Sequence, residues 1–420
     1  MLRNYLKVAF KVLLRRKLFT AISLFGISFT LMVLMVVSAL LDHATARMAP
    51  ETRQDRTLGA YFARMSGKNN RWQSGPGYLF FDRYQRDLPG VERMSILSSS
   101  VVVNSYPSGR RIQSSLKRTD ADFWKILDFE FLEGGPFGED DVRSARFVAV
   151  INATTRRRFF GDAPALGQTL EADGQRFLVV GVVPDVAELR TVPFADMWVP
   201  VTTAKADSYR REMMGGFVAI FLAGSPADFP AIKSEFGARL SRMELPRGYD
   251  TIQAAPLTAL EGLATRVLGY SPVGFLVQDK DGNVPLARFW AAAATLALLF
   301  MLLPTLNLVN LSVSRILERT SEIGVRKAFG ASGRTLVAQF VVENVALTVV
   351  GGVLGFALSE LVLHALTASG LLAYARLGLN ARVFLYGLAL AVFFGVLSGV
   401  YPAWRMSRLH PVDALRGSTR

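Results

Sequence analysis

The sequence contains no cysteine and only three histidines. The missing thiols exclude disulfides, thiolate nucleophiles and cysteine-ligated zinc or iron–sulfur sites, although they assign no compartment. The histidines are His43, His364 and His410. They are far apart, each at or near the edge of an apolar block, and lack the spacing of a metal site. A GxxxxGK[ST] phosphate loop is absent; GASGRT, residues 330–335, comes nearest and lacks the lysine. GxSxG and HExxH are absent as well. ADGQ (172–175) and DGNV (281–284) read as hairpin turns, because a calcium loop needs more ligands at fixed spacing. No serine or carboxylate stands out, so the chain reads as non-catalytic and is expected to hold no cofactor of its own.

Acidic side chains are scarce in one part of the chain. Residues 42–288 hold 31 basic and 29 acidic side chains, while the remainder holds 17 basic and only five acidic. The net charge of +14 would by itself suggest nucleic acid or an anionic surface. Its excess lies beside apolar blocks instead, so no nucleic-acid partner is expected.

Four of those blocks are long. LFTAISLFGISFTLMVLMVVSALL, residues 18–41, runs 24 residues without a charge; residues 289–314 run 26 and residues 383–404 run 22. A bilayer core of roughly 30 Å needs about 20 helical residues. The block at 341–366 contains Glu343 and Glu360, yet is long enough to span with some tilt. The first block has a basic flank and an ATA at 44–46 that resemble a signal peptide, but a signal h-region is only about 7–15 residues. Four transmembrane helices are expected. Dense basic clusters precede the first span, follow the second and follow the fourth, whereas 367–382 carries only Arg376 and Arg382. Basic loops stay on the cytoplasmic side. That places both termini and the 315–340 loop in the cytoplasm, and one large domain, residues 42–288, outside it.

In the first 17 residues, Arg3, Lys7, Lys11 and Arg15 recur every four positions among leucines, alanine and phenylalanine. This reads as an amphipathic helix on the membrane surface, with a plain positive anchor as the alternative. Within the large domain, FVAVI (147–151), RFLVVGVV (176–183) and DMWVPV (196–201) read as strands. The stretch 74–95 reads as a helix closed by Pro89-Gly90, and 226–243 has helical spacing. The fold class is thus an α-helical membrane protein with four transmembrane helices plus a large extracytoplasmic α+β domain inserted between the first and second. A strand-rich subdomain is expected at about 105–205. Inside the membrane, Gly351, Gly352 and Gly355 on the third span and Gly395 and Gly399 on the fourth would let helices approach closely, within one chain or between two. Glu343 reads as a cap at the cytoplasmic end and Glu360 as a residue near the opposite interface or a protein-facing seam, with an ion relay as the alternative.

Between the second and third spans lies SEIGVRKAFGAS, residues 321–332. Ser321 can cap a short helix, Glu322 suits its first turn, and Gly330 can stop it. Ile323, Val325, Ala328 and Phe329 give it an apolar surface. Extended to SEIGVRKAFGASGRTLVAQFVVENVALTVVGGVLGF (321–356), the segment resembles the C-terminal domain of MacB/FtsX-type ABC transporter permeases. YPAWRMSRLHPVDALRG (401–417) is similar to the family's closing motif. FEFLEGGPF (129–137), VAVINATTRRRFFGDAPALGQTL (148–170) and FLVVGVVPD (177–185) are similar to its extracytoplasmic domain. The resemblance covers nearly the whole chain and points to the MacB-like branch.

The resemblance implies a permease subunit without a fused ATPase, with ATP and magnesium bound by a separate ABC ATPase subunit dimer. Glu322, Ile323, Gly324, Val325, Arg326, Lys327, Ala328, Phe329, Gly330, Ala331 and Ser332 would form the coupling helix that docks on that ATPase. A second permease copy or a related permease would complete the complex in the bacterial inner membrane. A periplasmic adaptor and an outer-membrane channel are further partners left open. The function implied is mechanotransmission, serving export of peptides or antimicrobials. Lipoprotein extraction, control of a cell-wall hydrolase and a non-transport receptor or scaffold are the alternatives.

Overall fold

The computed structural model describes residues 17–109, 111–268, 284–318, 333–370, 372–375, 377–379 and 381–407. The chain divides into two compact units. One comprises Met1–His43, Trp290–Leu371 and Arg376–Arg420; the other comprises Ala44–Phe289 together with Leu372–Ala375.

Helix α1 (Lys17–Thr45) comes first. The strands β1 (Thr57–Ala60), β2 (Ala63–Ser66) and β3 (Arg71–Ser74) follow, then α2 (Tyr78–Tyr84), β4 (Val91–Ser98), β5 (Val101–Ser105) and β6 (Ile112–Thr119). Next are α3 (Asp122–Ile126), β7 (Glu133–Gly134), α4 (Glu139–Arg143), β8 (Val148–Asn152), α5 (Ala153–Phe160), β9 (Thr169–Ala172), β10 (Gln175–Val183), β11 (Met197–Pro200) and β12 (Phe217–Ala223). Then come α6 (Phe229–Ser241), β13 (Thr251–Ala254), α7 (Ala259–Leu268), α8 (Leu286–Glu318), α9 (Gly333–Ala368) and α10 (Ala381–Ser407).

In the helical unit, four stretches are long and apolar enough to cross a membrane: Thr20–Thr45, Leu286–Asn310, Val337–Ala368 and Ala381–Val400. They expose bulky apolar side chains such as Phe25, Leu298, Leu361 and Leu385, a surface that lipid solvates and water does not. Their shared core is small: Ile27 and Leu31 of α1, Met301 and Leu308 of α8, Leu347 of α9 and Ala391 of α10.

The outer unit is built on a mixed sheet in the order β1-β12-β4-β6-β11-β8-β10-β7, with β5 paired to β6 and β9 to β10. A second, antiparallel sheet runs β13-β2-β3. The stretch VAVIN forms β8 because both of its faces are covered; all five residues are buried. It runs parallel to β10. Asn152 ends β8 and caps α5, its side chain accepting from the Thr155 N–H at 2.7 Å. The Asp173-Gly174 turn joins β9 to β10 with φ of 55° and 67°, the two positive values that a tight hairpin of this twist demands. Trp198 and Phe123 are fully buried in a cluster that takes in Leu97, Ile220 and Leu222 from the other half of the sheet.

Two expectations are modified. The helix read from 74–95 is confined to Tyr78–Tyr84, because Asp87 (φ 54°) and Gly90 (φ 83°) turn the chain into β4. The sheet also extends beyond 105–205, since β1, β4 and β12 pair into the same ladder.

Candidate functional site

The segment read as a coupling helix, Glu322 to Ser332, lies outside the described residues, as do residues 1–16 and His410. The five glycines are described. A Cβ on Gly351 would lie 2.8 Å from Ile27 Cγ2, and one on Gly355 would lie 3.0 Å from the Ser28 carbonyl oxygen, both on α1. One on Gly352 would meet Leu388 of α10 at 2.6 Å. From the other side, a Cβ on Gly395 would reach Thr348 Oγ1 at 2.5 Å and one on Gly399 would reach Asn344 Nδ2 at 3.0 Å. The glycines of α9 thus face two different helices, and those of α10 face α9. All these approaches are within one chain.

Polar groups line the same seam. Hydroxyls bond back to their own helices: Ser28 to the Leu24 carbonyl at 2.6 Å, Thr348 to Asn344 at 2.9 Å, Ser359 to Gly355 at 2.6 Å and Ser398 to Gly395 at 2.8 Å. Asn344 Nδ2 donates across to Ser398 Oγ at 3.3 Å. Glu343 is buried and accepts from Gln339 Nε2 at 3.2 Å. It is ten residues inside α9, which begins at Gly333, so it is a seam residue and not a helix cap. Glu360 is exposed on the surface of α9. Among the described residues, no cluster of histidine and carboxylate side chains is arranged to hold a metal.

A second concentration of polar chemistry lies in the outer unit. Lys117, on the central strand β6, is 1% exposed. Its Nζ donates to the carbonyls of Thr191 at 2.8 Å and Val192 at 2.5 Å. Arg190, also buried, donates from Nη1 to Glu51 Oε2 at 2.8 Å and the Met48 carbonyl at 3.1 Å, and from Nη2 to the Ala46 carbonyl. Arg190 and Glu51 border a cavity of about 50 Å³, whose lining also includes Tyr61, Thr191, Val192 and Arg266. Burial pushes the Lys117 amine down to about 7, opposed by the nearby Glu51 charge. Burial likewise pushes the Glu51 carboxyl up, against the pull of Arg190 and Lys117. The Tyr61 phenol is held protonated, first by burial and then by Glu51. Gly262 lets α7 lie on the Tyr61 ring; a Cβ there would sit 2.9 Å from Cε2. Thr258 and Glu261 form a capping box at the start of α7, and Glu261 pairs with Lys233 at 2.7 Å.

Residues Leu372–Ala375 pack into the outer unit as well. The Tyr374 hydroxyl donates to Asp196 Oδ1 at 2.5 Å. Asp196 also accepts from Asn152 Nδ2 at 3.0 Å and the Ser115 N–H at 2.7 Å. The Glu188 N–H donates to the Ala373 carbonyl at 2.9 Å. Sequence reading did not identify Lys117, Glu51, Arg190 or Tyr374. The inward alternation of IQSSLKRT runs through Ile112, Ser114 and Leu116, and Lys117 is buried out of that phase, so no local pattern marked it; Glu51 and Arg190 meet across 139 residues with no local trace.

Four apolar helices with an α+β unit inserted after the first define a polytopic membrane protein with an extracytoplasmic domain. The chain belongs to the MacB/FtsX-type family of ABC transporter permeases: residues 20–239 match the MacB-like periplasmic core domain and residues 294–411 the FtsX-like permease C-terminal domain. It is 27% identical over 304 residues to the macrolide export ATP-binding/permease protein MacB of Chromobacterium violaceum, covering 72% of this chain and 43% of that protein. It is 28% identical over 298 residues to the uncharacterized ABC transporter permease YvrN of Bacillus subtilis, covering 71% and 68%. The chain spans about two fifths of the length of the MacB relatives it matches. Similar solved structures include the extracellular domain of the transporter YknZ from Gram-positive bacteria, at TM-score 0.37 and 15% identity, covering 47% of this chain and 99% of that one. The periplasmic region of MacB from Actinobacillus actinomycetemcomitans gives TM-score 0.35 and 13% identity, covering 51% and 94%.

Proposed function

We propose that this chain is the permease component that converts ATP hydrolysis on an ABC ATPase dimer into rearrangement of the outer unit. The reading rests on one observation above all: both family domains are present, in order, around four spans and a large inserted α+β unit. The chain carries no phosphate loop of its own, so ATP and magnesium would be bound on the partner and the chain would not be an enzyme. The basic flanks support an orientation with both termini and residues 315–340 in the cytoplasm. Glu322 to Ser332 would then be the coupling helix, with Ile323, Val325 and Phe329 docking in a groove of the ATPase and Arg326 and Lys327 at its rim. A second permease copy or a related one would complete the complex. Export of peptides, antimicrobials or similar compounds is the favoured outcome, with a periplasmic adaptor as a further partner left open.

The test is purification of the chain from its native membrane, followed by reconstitution with the ATPase that co-purifies. Arg326→Glu combined with Phe329→Ala is expected to abolish stimulation of ATP hydrolysis while insertion into the membrane is unchanged. Full stimulation by the double variant would refute the coupling role. An outer-unit ligand recovered without any ATPase would favour a receptor or scaffold instead.

A further inference from the structure

Three covalent connections join the outer unit to the membrane helices: the segment after α1, the segment leading from α7 toward α8, and the segment between α9 and α10. One stretch of the outer unit, residues 186–196, bonds to the first and the third, and to α7, the helix from which the second leads. Arg190 holds the first, through the carbonyls of Ala46 and Met48 and the Glu51 carboxylate. Thr191 meets the helix that precedes the second, its hydroxyl accepting from Arg266 Nη2 of α7 at 3.3 Å. Glu188 and Asp196 hold the third, through Ala373 and Tyr374. Residues 186–196 form no strand of their own: among them, only the bonds of Arg190 to Ala187 and Phe194 to Arg190 run backbone to backbone within the stretch. They are attached to the sheet at Asp196 by backbone bonds, its N–H donating to the Ser115 carbonyl at 2.8 Å and its carbonyl accepting from the Asn152 N–H at 3.0 Å, by Val192 and Ala195 in the core, and by two buried polar side chains. Lys117 of β6 fixes the carbonyls of Thr191 and Val192, and Asp196 is held by Ser115 of the same strand and by Asn152 of β8.

We propose that residues 186–196 are a mechanical node: displacement of the first or third connection, or of α7, is delivered to this one stretch, and Lys117 and Asp196 pass it to the central strands β6 and β8. The geometry favours this over independent anchoring. Independent anchors would lie on separate elements and would loosen separately, whereas these contacts share eleven consecutive residues and one lysine. The cavity lined by Glu51, Tyr61, Arg190 and Arg266 lies beside this stretch, whose Leu189 to Val192 also line it. Arg190 and Tyr374 are positioning residues in this scheme. The proposal rests on the reading of the chain as a transmitter of motion, and its test is arranged so that the two fail separately.

The experiment is amide hydrogen exchange on the full chain in lipid nanodiscs, comparing wild type with Lys117→Met, Tyr374→Phe and, as a control outside the node, Arg156→Ala. Lys117→Met keeps much of the stem and removes the donor to Thr191 and Val192. It is expected to raise exchange about tenfold, together, in 44–51, 259–268 and 372–375. Tyr374→Phe, which removes one oxygen and is the safeguard should the lysine variant misfold, is expected to raise exchange in 186–196 and 44–51 as well as at its own position. Arg156→Ala should leave all three segments unchanged. Increases confined to 190–192 for the lysine variant and to 372–375 for the tyrosine variant would overturn the node. The transmission reading is tested apart, by nucleotide-dependent distances between spin labels on β3 and β5 after reconstitution with the ATPase. No change in wild type removes that reading; a change in wild type that Tyr374→Phe leaves untouched removes the node.

Discussion

In the helical unit, Ser28, Thr348, Ser359 and Ser398 give their hydroxyl protons to carbonyls three or four residues back on the same helix. In the outer unit, Lys117, Arg190 and Asp196 bond to partners 44 to 178 residues away. The difference follows from the solvent. A helix in lipid must satisfy its own polar groups before it meets a neighbour. Association then depends on how closely backbones can approach, which is where the glycines stand. In water the chain can bring distant groups together while a large apolar core forms around them. Faults in the first unit should therefore be faults of volume, and faults in the second should be faults of unpaired charge and hydrogen bonding.

The largest expected effect separates the units by pH. The Lys117 amine is pushed down by burial from 10.5 to about 7. Above 10.5 it is neutral in both folded and unfolded chains. Between 10.5 and 7 the unfolded chain takes up a proton that the folded chain refuses, so stability falls as pH falls. Below about 7 both states are charged and the slope vanishes. The outer unit should lose on the order of 4 kcal/mol across that window, followed by urea unfolding monitored through Trp124 and Trp198. Lys117→Met should flatten the curve. If the curve is equally steep in the variant, the lysine is not its source.

Next in size is a volume fault in the seam. Gly355→Leu places a side chain where the Ser28 carbonyl and Leu31 already sit and should cost about 3 kcal/mol by overpacking. The readout is thermal unfolding in detergent, and a melting temperature equal to wild type would contradict the close approach of α1 and α9. A smaller effect is expected at the hairpin: Gly174→Val, at φ 67°, should destabilise the outer unit by about 1–2 kcal/mol, read from local exchange in β9 and β10. The smallest is Arg143→Ala. The exposed pair of Arg143 with Asp140 should contribute no more than about 0.5 kcal/mol, and a larger loss in urea unfolding would mean that pair does more than its exposure allows.

Legibility in the sequence divides along the same line. The spans could be read because a long apolar run is a local property; Ile27 and Leu31 lie in a charge-free run of 24 residues, and the glycines that meet them lie in the apolar block between Glu343 and Glu360. The strands β8, β10 and β11 and the Asp173-Gly174 turn were legible for the same reason, as each is set by a short stretch of β-branched residues or by two turn residues. What could not be read was the meeting of Lys117 with Thr191, of Arg190 with Glu51, and of Tyr374 with Asp196. Those pairings depend on sheet order, in which β11 inserts between β6 and β8, and no window of sequence carries that order. Glu343 was misplaced as a cap because α9 starts a full ten residues before it.

The short stretch Leu372–Ala375 has a practical meaning for anyone isolating the extracytoplasmic part. A soluble fragment cut at residues 44 and 289 would lack four residues that its fold accommodates. Ala375, which is 2% exposed here, would be missing, and the carboxylate of Asp196 and the amide of Glu188 would face a gap. Supplying 372–375 as a tethered peptide should raise the melting temperature of such a fragment, whereas the same peptide with Tyr374→Phe should help less. The extracytoplasmic domain is, in this sense, assembled from two discontinuous parts of the gene product.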